Sequence, residues 1–182
     1  RIELTSPSAL NTRVRIFDEA FRQLYQIDNQ GAGLPELIPN FTHDGPFFVS
    51  VTASGSDDEN TYELAVRGRA VEAGFETEPN DSVKRAVPLD KEIRGYVSYR
   101  DDRDYYLLSV AGREKVTVSV RGISGAILKV SLTDNLGFRL RDADVRYDSE
   151  VQLSEMIDQK GYLIVESGSA PSDEPYQIRI VK

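Results

Sequence analysis

Apolar residues along the chain alternate with polar ones over short runs. EIRGYVSY (92–99), DYYLLSVAG (104–112), KVTVSVRG (115–122), GYLIVES (161–167) and YQIRIV (176–181) each carry the period-two or buried-run pattern of a short strand. Gly, Asp, Ser or Pro bounds each of them, and turn signals recur every eight to twelve residues or so. No long, well-capped helical pattern competes. The pattern predicts an all-β chain built as a β-sandwich or jelly roll.

Residues 13–27, RVRIFDEAFRQLYQI, are the ambiguous stretch. Ile16, Ala20, Leu24 and Ile27 stand at helical spacing, whereas Val14 and Ile16 alternate as in a strand. An internal repeat favours the strand. RVRIFDEAFRQL (13–24) lies over KVSLTDNLGFRL (129–140), matching Val14 with Val130, Ile16 with Leu132, Asp18 with Asp134 and Leu24 with Leu140. The later copy carries the turn TDNLG between a strand at 127–133 and a short one at 138–141, and a helix would have to hold that turn inside it. The same offset sets DGPFFVSV (44–51) over KGYLIVES (160–167), and a two-residue slip then sets TYELAV (61–66) over PYQIRI (175–180).

The repeat divides the chain into a first unit over 1–72, an acidic linker over 73–81 and a second, complete unit over 82–182. RIEL (1–4) corresponds to TVSV (117–120), so the sequence begins inside a unit, and the first unit is expected to lack its N-terminal strands. Such a unit has an open sheet edge and an uncovered apolar face: the missing strands lie on another chain or fragment, the given sequence is cut there, or the unit closes in a different way.

At ETEPNDS (76–82) the second unit resembles the bacterial pre-peptidase C-terminal domain family, related to the collagen-binding modules of bacterial collagenases. The resemblance rests on the order of EPND (78–81), IRGYV (93–97), DRDYYLLSV (102–110), SGAILKVSLTDNLG (124–137) and KGYLIVE (160–166). It implies a non-catalytic β-sandwich appended to a secreted enzyme, with calcium bound near the N-terminal segment in some members. By this resemblance the metal ligands are Glu76, Glu78, Asn80, Asp81, Asp101 and Asp104. Asp102 stands outside the set, because the placement of the aspartates depends on loop length. The first unit lacks EPND, so any metal role belongs to the second.

The chemistry of the residues allows this without requiring it. Calcium takes six to eight oxygen ligands, and Glu76, Glu78 and Asn80 alternate, so an extended segment turns all three to one side. Pro79 favours extended backbone before it. Equally, ExEPND reads as a solvated linker and DDRD as a hairpin turn whose Arg100 and Arg103 neutralise the aspartates. Tyr96, Tyr99, Tyr105, Tyr106, Tyr147 and Tyr162 could face an extended polymer, with one of Tyr105 and Tyr106 turned into the core.

Composition narrows the field. With 182 residues, a net charge of −8 and a hydrophobic fraction of 40%, the chain is a folded protein without the positive surface that nucleic acid or anionic membrane requires. It has no cysteine, which removes disulfides and thiolate sites, and its one histidine, His43, lies in the turn THDG. Ser124 in RGISG lacks the spacing of a nucleophile elbow. No run is long enough to cross a bilayer as a helix. The given sequence shows no signal segment, which a mature form or a piece of a longer chain would equally lack.

These features predict a non-catalytic accessory module of a secreted, cell-surface or periplasmic protein, stabilised by Ca2+ and binding a protein or extracellular polymer. The alternative is an assembly subunit whose open first unit is completed by strands of another chain or cleaved fragment.

Overall fold

The computed structural model describes residues 1–28, 31–68, 70–98, 102–168, 172 and 174–181. The chain folds as two compact units, Arg1–Val71 and Glu72–Lys182. Both are all-β and sandwich-like. The helical structure among the described residues is a single 3-10 turn, Val83–Arg85.

The first unit has six strands: β1 (Ile2–Thr5), β2 (Thr12–Asp18), β3 (Gln23–Ile27), β4 (Glu36–Ile38), β5 (Phe47–Ala53) and β6 (Glu63–Val66). They form two antiparallel three-stranded sheets, ordered β4-β1-β6 and β3-β2-β5. Ile2, Leu4, Val14, Ile16, Tyr25, Ile27 and Ile38 are its buried apolar residues. The ambiguous stretch 13–27 is a hairpin. Asp18 makes it so: its Oδ1 accepts the backbone N–H groups of Ala20 (2.9 Å) and Arg22 (2.8 Å), which closes a turn where a helix would have continued.

The second unit contains β7 (Val87–Pro88), β8 (Glu92–Gly95), β9 (Arg103–Arg121), β10 (Ile127–Asp134), β11 (Arg139–Arg146), β12 (Glu150–Ser167) and β13 (Tyr176–Val181). The order is β11-β10-β12-β9-β13-β8, with the short β7 parallel to β9. The segments expected as separate strands at 104–112 and 115–122 are one strand of 19 residues. Its partner β12 has 18 residues and begins eleven positions before the strand expected at 161–167. Between them the register shifts at Asp158/Lys160, whose partners are Arg113 and Ser109. The Ala111-Gly112 step that reads as a strand end is therefore absorbed in a bulge. Around this pair lies one core, including Tyr106, Leu108, Val118, Val120, Leu132, Leu153, Leu163 and Tyr176.

The repeat holds in geometry. β2 shifts register against β3 between Ile16 and Phe17, and β10 shifts against β11 between Leu132 and Thr133, the matched positions. Asp134 caps its turn as Asp18 does, accepting from Leu136 N and Phe138 N, both at 2.9 Å. At the left-handed position of this turn stand Phe21 (φ 57°) and Gly137 (φ 86°).

One alignment needs correcting. β2 pairs Val14 with Val51 and Ile16 with Val49, whereas β10 pairs Val130 with Val165 and Leu132 with Leu163. Val51 thus matches Val165, and the two-residue slip falls before β5 instead of after it. On this register β1 matches the C-terminal part of β9, β4 and β5 match the two ends of β12, and β6 matches β13.

The stretch expected as a linker also sits elsewhere. Glu76 N donates to Arg94 O (2.8 Å) and Tyr105 N donates to Asn80 O (3.2 Å), which ties residues 76–80 into the second unit. Glu76, Glu78 and Asn80 are buried there.

Candidate metal centre

Alternation along two segments builds the site. Residues 76, 78 and 80 turn to one side of an extended stretch, and the Glu78–Pro79 peptide within it is cis. On β9 and the residue before it, Asp102, Asp104, Tyr106 and Leu108 are buried at every second position. One carboxylate oxygen each from Glu76, Glu78 and Asp104 lies within 4.8 Å of the others. That is the span one ion can bridge when its oxygen ligands stand about 2.4 Å away.

Hydrogen bonds fix these groups. Glu76 Oε1 accepts from Tyr96 N (2.6 Å), and its Oε2 accepts from Asn80 Nδ2 (3.1 Å), Tyr176 Oη (3.1 Å) and Tyr106 Oη. Glu78 Oε2 accepts from Asn80 N (2.9 Å). Tyr176 Oη lies against Asp104 Oδ2 as well, so that its one hydrogen serves either carboxylate, and it stands 2.6 Å from Tyr106 Oη. Asp102 accepts from Ser98 N (2.6 Å) and Arg103 N (3.0 Å). A Cβ on Gly95 would collide with the Tyr176 ring and with Glu76 Oε2, so β8 reaches this close only with glycine.

The cluster concentrates carboxylates away from water. Burial pushes Glu78, Asp102 and Asp104 well above the usual carboxylate range, and the neighbouring carboxylates push them further. Burial likewise raises both phenols. The two tyrosines enter four close oxygen contacts but carry one hydroxyl hydrogen apiece. Asp104 Oδ1 and Asn80 Oδ1, both buried, accept no hydrogen bond among the described residues. Among those residues neither Asp102 nor Asp104 makes an ion pair, and Arg103 turns to Glu166. Protons or a cation would relieve the arrangement. The donors are all oxygen, the set that suits a hard cation, so the residues present fit a metal ion of that kind.

Of the residues expected as ligands, the structure brings together Glu76, Glu78 and Asp104, with Asn80 among them. Asp81 is half-buried, and its charge adds to the field that raises Glu78 and Asp102. Asp101 lies outside the described residues, as do Arg100 and Tyr99. Sequence reasoning set Asp102 aside and passed over Tyr176 and Gly95. The parity of Asp102, Asp104 and Tyr106 was the available signal for Asp102; nothing local points to Tyr176, which arrives from β13.

Of the other candidates, Tyr106 joins this cluster through its hydroxyl and Tyr96 through its backbone N–H. Tyr106 is the inward member of its pair, with Tyr105 half-buried. Tyr96 stacks on Phe75 (5.7 Å), which Arg94 covers from 5.4 Å. Tyr147 is exposed and Tyr162 half-buried. Exposed His43 packs near Phe41 and Phe47 in the first unit. The Ser124 amide donates to Glu174.

No family model matches the chain, and neither does any curated protein. Among solved structures it is similar to the pre-peptidase C-terminal domain of a collagenase from Bacillus anthracis, at 18% identity and a TM-score of 0.39. The match covers 63% of this chain and 100% of that one. No helix among the described residues is long and apolar enough to cross a membrane.

Proposed function

We propose that the chain is a non-catalytic accessory module of a secreted, cell-surface or periplasmic protein, and that its second unit binds Ca2+. The module would bind a protein or extracellular polymer, such as a substrate, a matrix component or a neighbouring domain. The observation that carries the metal reading is the convergence of Glu76, Glu78 and Asp104 with the unsatisfied oxygens of Asn80 and Asp104. Calcium suits it better than magnesium, since irregular carboxylate and amide oxygens meet its flexible coordination and not a strict octahedron. Asp81 and Asp101 complete the proposed ligand set. The order of motifs from EPND to KGYLIVE supports the accessory role.

Calorimetric titration with calcium chloride, beside thermal melts with and without chelator, tests the metal reading. Calcium should raise the melting temperature, by about 2.7 kcal/mol of added stability at a hundredfold excess over Kd. Equal melts and no heat of binding would remove calcium from the proposal.

A second reading, an assembly subunit, is favoured by the first unit's sheets. Among the described residues β5 pairs with β2 alone and β6 with β1 alone, whereas their counterparts in the second unit each have two neighbours. Strands of another chain or cleaved fragment would complete that unit.

A further inference from the structure

One outer face of the second unit carries a row of polar side chains. Arg94 on β8, Gln177 on β13, Arg121 on β9 and Glu150 on β12 stand side by side across four strands. Strands lie about 4.8 Å apart, so the two arginines flank Gln177 at about 10 Å, backbone to backbone. They line a cleft of about 460 Å³ together with Gln177, Ser124, Asp148 and Glu174. That volume falls within the range of about 300–1,000 Å³ typical of ligand sites. Asp148 and Glu174 precede β12 and β13, which both run antiparallel to β9. The two carboxylates therefore stand at the same end of the sheet. At about 3.3 Å per residue they reach about 7–10 Å beyond the arginine row.

The charges in this cleft do not neutralise one another. Elsewhere on the unit such opportunities are taken: Arg179 pairs with Glu150 (2.7 Å), Arg141 with Glu155 (2.7 Å) and Arg103 with Glu166. Arg121 has Glu150 directly opposite it on β12, yet Glu150 turns to Arg179 and Ser119. Among the described residues Arg94, Arg121, Asp148 and Glu174 make no ion pair. Local contacts hold three of the lining groups in place. The Arg94 guanidinium lies over the Phe75 ring, 5.4 Å from its centroid, and Phe75 stacks on Tyr96. Glu174 Oε2 accepts from Ser124 N (3.2 Å), and Gln177 Nε2 donates to Glu92 (2.6 Å). A cleft whose positive row and negative end stay apart suits a ligand that carries both signs. Its carboxylates repel a polyanion and its guanidiniums repel a polycation.

On the reading of the chain as a module that binds a protein, we infer that this cleft takes an extended peptide segment with an acidic and a basic side chain two residues apart. Alternate side chains of an extended chain share a face and stand about 7 Å apart, which matches the offset between the arginine row and the carboxylates. The ligand's carboxylate meets the guanidiniums of Arg121 and Arg94, whose planar forks bind it through paired N–H donors. Its ammonium or guanidinium group meets Asp148 and Glu174. Contacts of this kind at an open surface are individually weak and screened by salt, so the cleft selects by charge pattern more than by affinity.

The probe is the end-blocked peptide acetyl-Gly-Glu-Ser-Lys-Gly-amide, titrated into the whole chain and followed by amide NMR. Resonances of residues 94, 121–124, 148, 174 and 177 should shift together, and binding should weaken several-fold between about 20 and about 300 mM salt. Arg121→Glu should weaken this peptide about tenfold and strengthen the doubly basic acetyl-Gly-Lys-Ser-Lys-Gly-amide in return, a reversal that mere loss of structure does not produce. Should that variant fail to fold, Glu174→Lys with the doubly acidic acetyl-Gly-Glu-Ser-Glu-Gly-amide reads the same reversal from the other end of the cleft. No shift at these residues with about 5 mM peptide overturns the inference. Equal binding of the neutral acetyl-Gly-Gln-Ser-Gln-Gly-amide overturns it too, as does a Kd that Arg121→Glu leaves unchanged. Two outcomes separate the cleft from the reading of the whole chain. Binding to an array of mixed peptides that Arg121→Glu does not alter keeps the protein-binding module and removes the cleft. Cleavage of the bound probe, followed by mass spectrometry, keeps the cleft and removes the non-catalytic module.

Discussion

β5 and the last seven residues of β12 are the same strand placed in two settings. Each lies against a strand whose inward residues are fully buried, Val14 and Ile16 in one case, Val130 and Leu132 in the other. Leu163 and Val165 disappear from solvent; Val49 and Val51 do not. The difference comes from the third strand. Residues 103–109 cover β12, and the same segment delivers Asp104 and Tyr106 to the acidic cluster. One segment thus closes the second unit and furnishes its chemistry, and among the described residues of the first unit no strand stands in that place.

Cutting the equivalent side chain in both units tests this contrast most severely. Leu163→Ala should cost about 2–5 kcal/mol, the range for a core leucine whose site collapses only in part. Val49→Ala should cost about 1 kcal/mol or less, since much of its surface is wet already. Separate thermal transitions of the two units, followed by hydrogen exchange, would show it. Equal losses would mean that β5 is covered as β12 is.

Gly95→Ala comes next. The added methyl meets Tyr176 and Glu76, and overpacking of this kind costs about 1–3 kcal/mol. It should also weaken any calcium response of the second unit while leaving the first unit's transition in place. A substituted chain with an unchanged melt and calcium response would detach Gly95 from the site.

The pH response separates the units by sign. Glu78, Asp102 and Asp104 have raised pKa values when folded, so their contribution is fully present below the unfolded values, near 4, and is lost as pH rises through the folded ones. With chelator present, the second unit should therefore melt at lower temperature at pH 8 than at pH 5.5. Calcium should reduce that loss, and its affinity should fall on acidification as protons compete for the same oxygens. A chelated second unit as stable at pH 8 as at pH 5.5 would argue against burial of these groups. Asp18 is shifted the other way by its turn hydrogen bonds, so the first unit keeps this contribution at neutral pH and loses it only in acid.

The smallest effect concerns what the units share. Asp134→Ala removes two hydrogen bonds to backbone N–H groups and should cost about 1 kcal/mol. Asp18→Ala should cost its unit at least as much, because Arg22 Nε also loses its contact at 2.7 Å. If either substitution is silent, the common turn is not held by its aspartate.

Much of this was legible from one chain because the repeat compares it with itself. Matching Val14 with Val130 and Asp18 with Asp134 is enough to identify the hairpin and its capping residue. Strand ends were harder. Ala111-Gly112-Arg113 resembles a stop, yet a bulge carries β9 through it, and bulges depend on the partner strand and not on local sequence. The first half of β12 went unread for a related reason. Leu153 and Ile157 stand four apart with Glu155 between them, and only pairing with β9 makes that spacing a strand. The candidate site divides in the same way. Glu76, Glu78, Asn80 and Asp104 are legible as an alternating acidic pattern, whereas Tyr176 comes from β13 and reaches Glu76 across 100 residues of sequence.

The burial of Glu76, Glu78 and Asn80 has a consequence for enzymes that cut chains. A protease needs an extended, accessible stretch, and the ETEPNDS segment offers none at these three residues. Residues 66–68 and 70–74 are exposed instead. Limited digestion with a glutamate-specific protease should cleave after exposed Glu72 and spare the bond after buried Glu76, releasing the second unit with its acidic cluster whole. Processing that severs the units there would leave the acidic cluster intact in the C-terminal fragment.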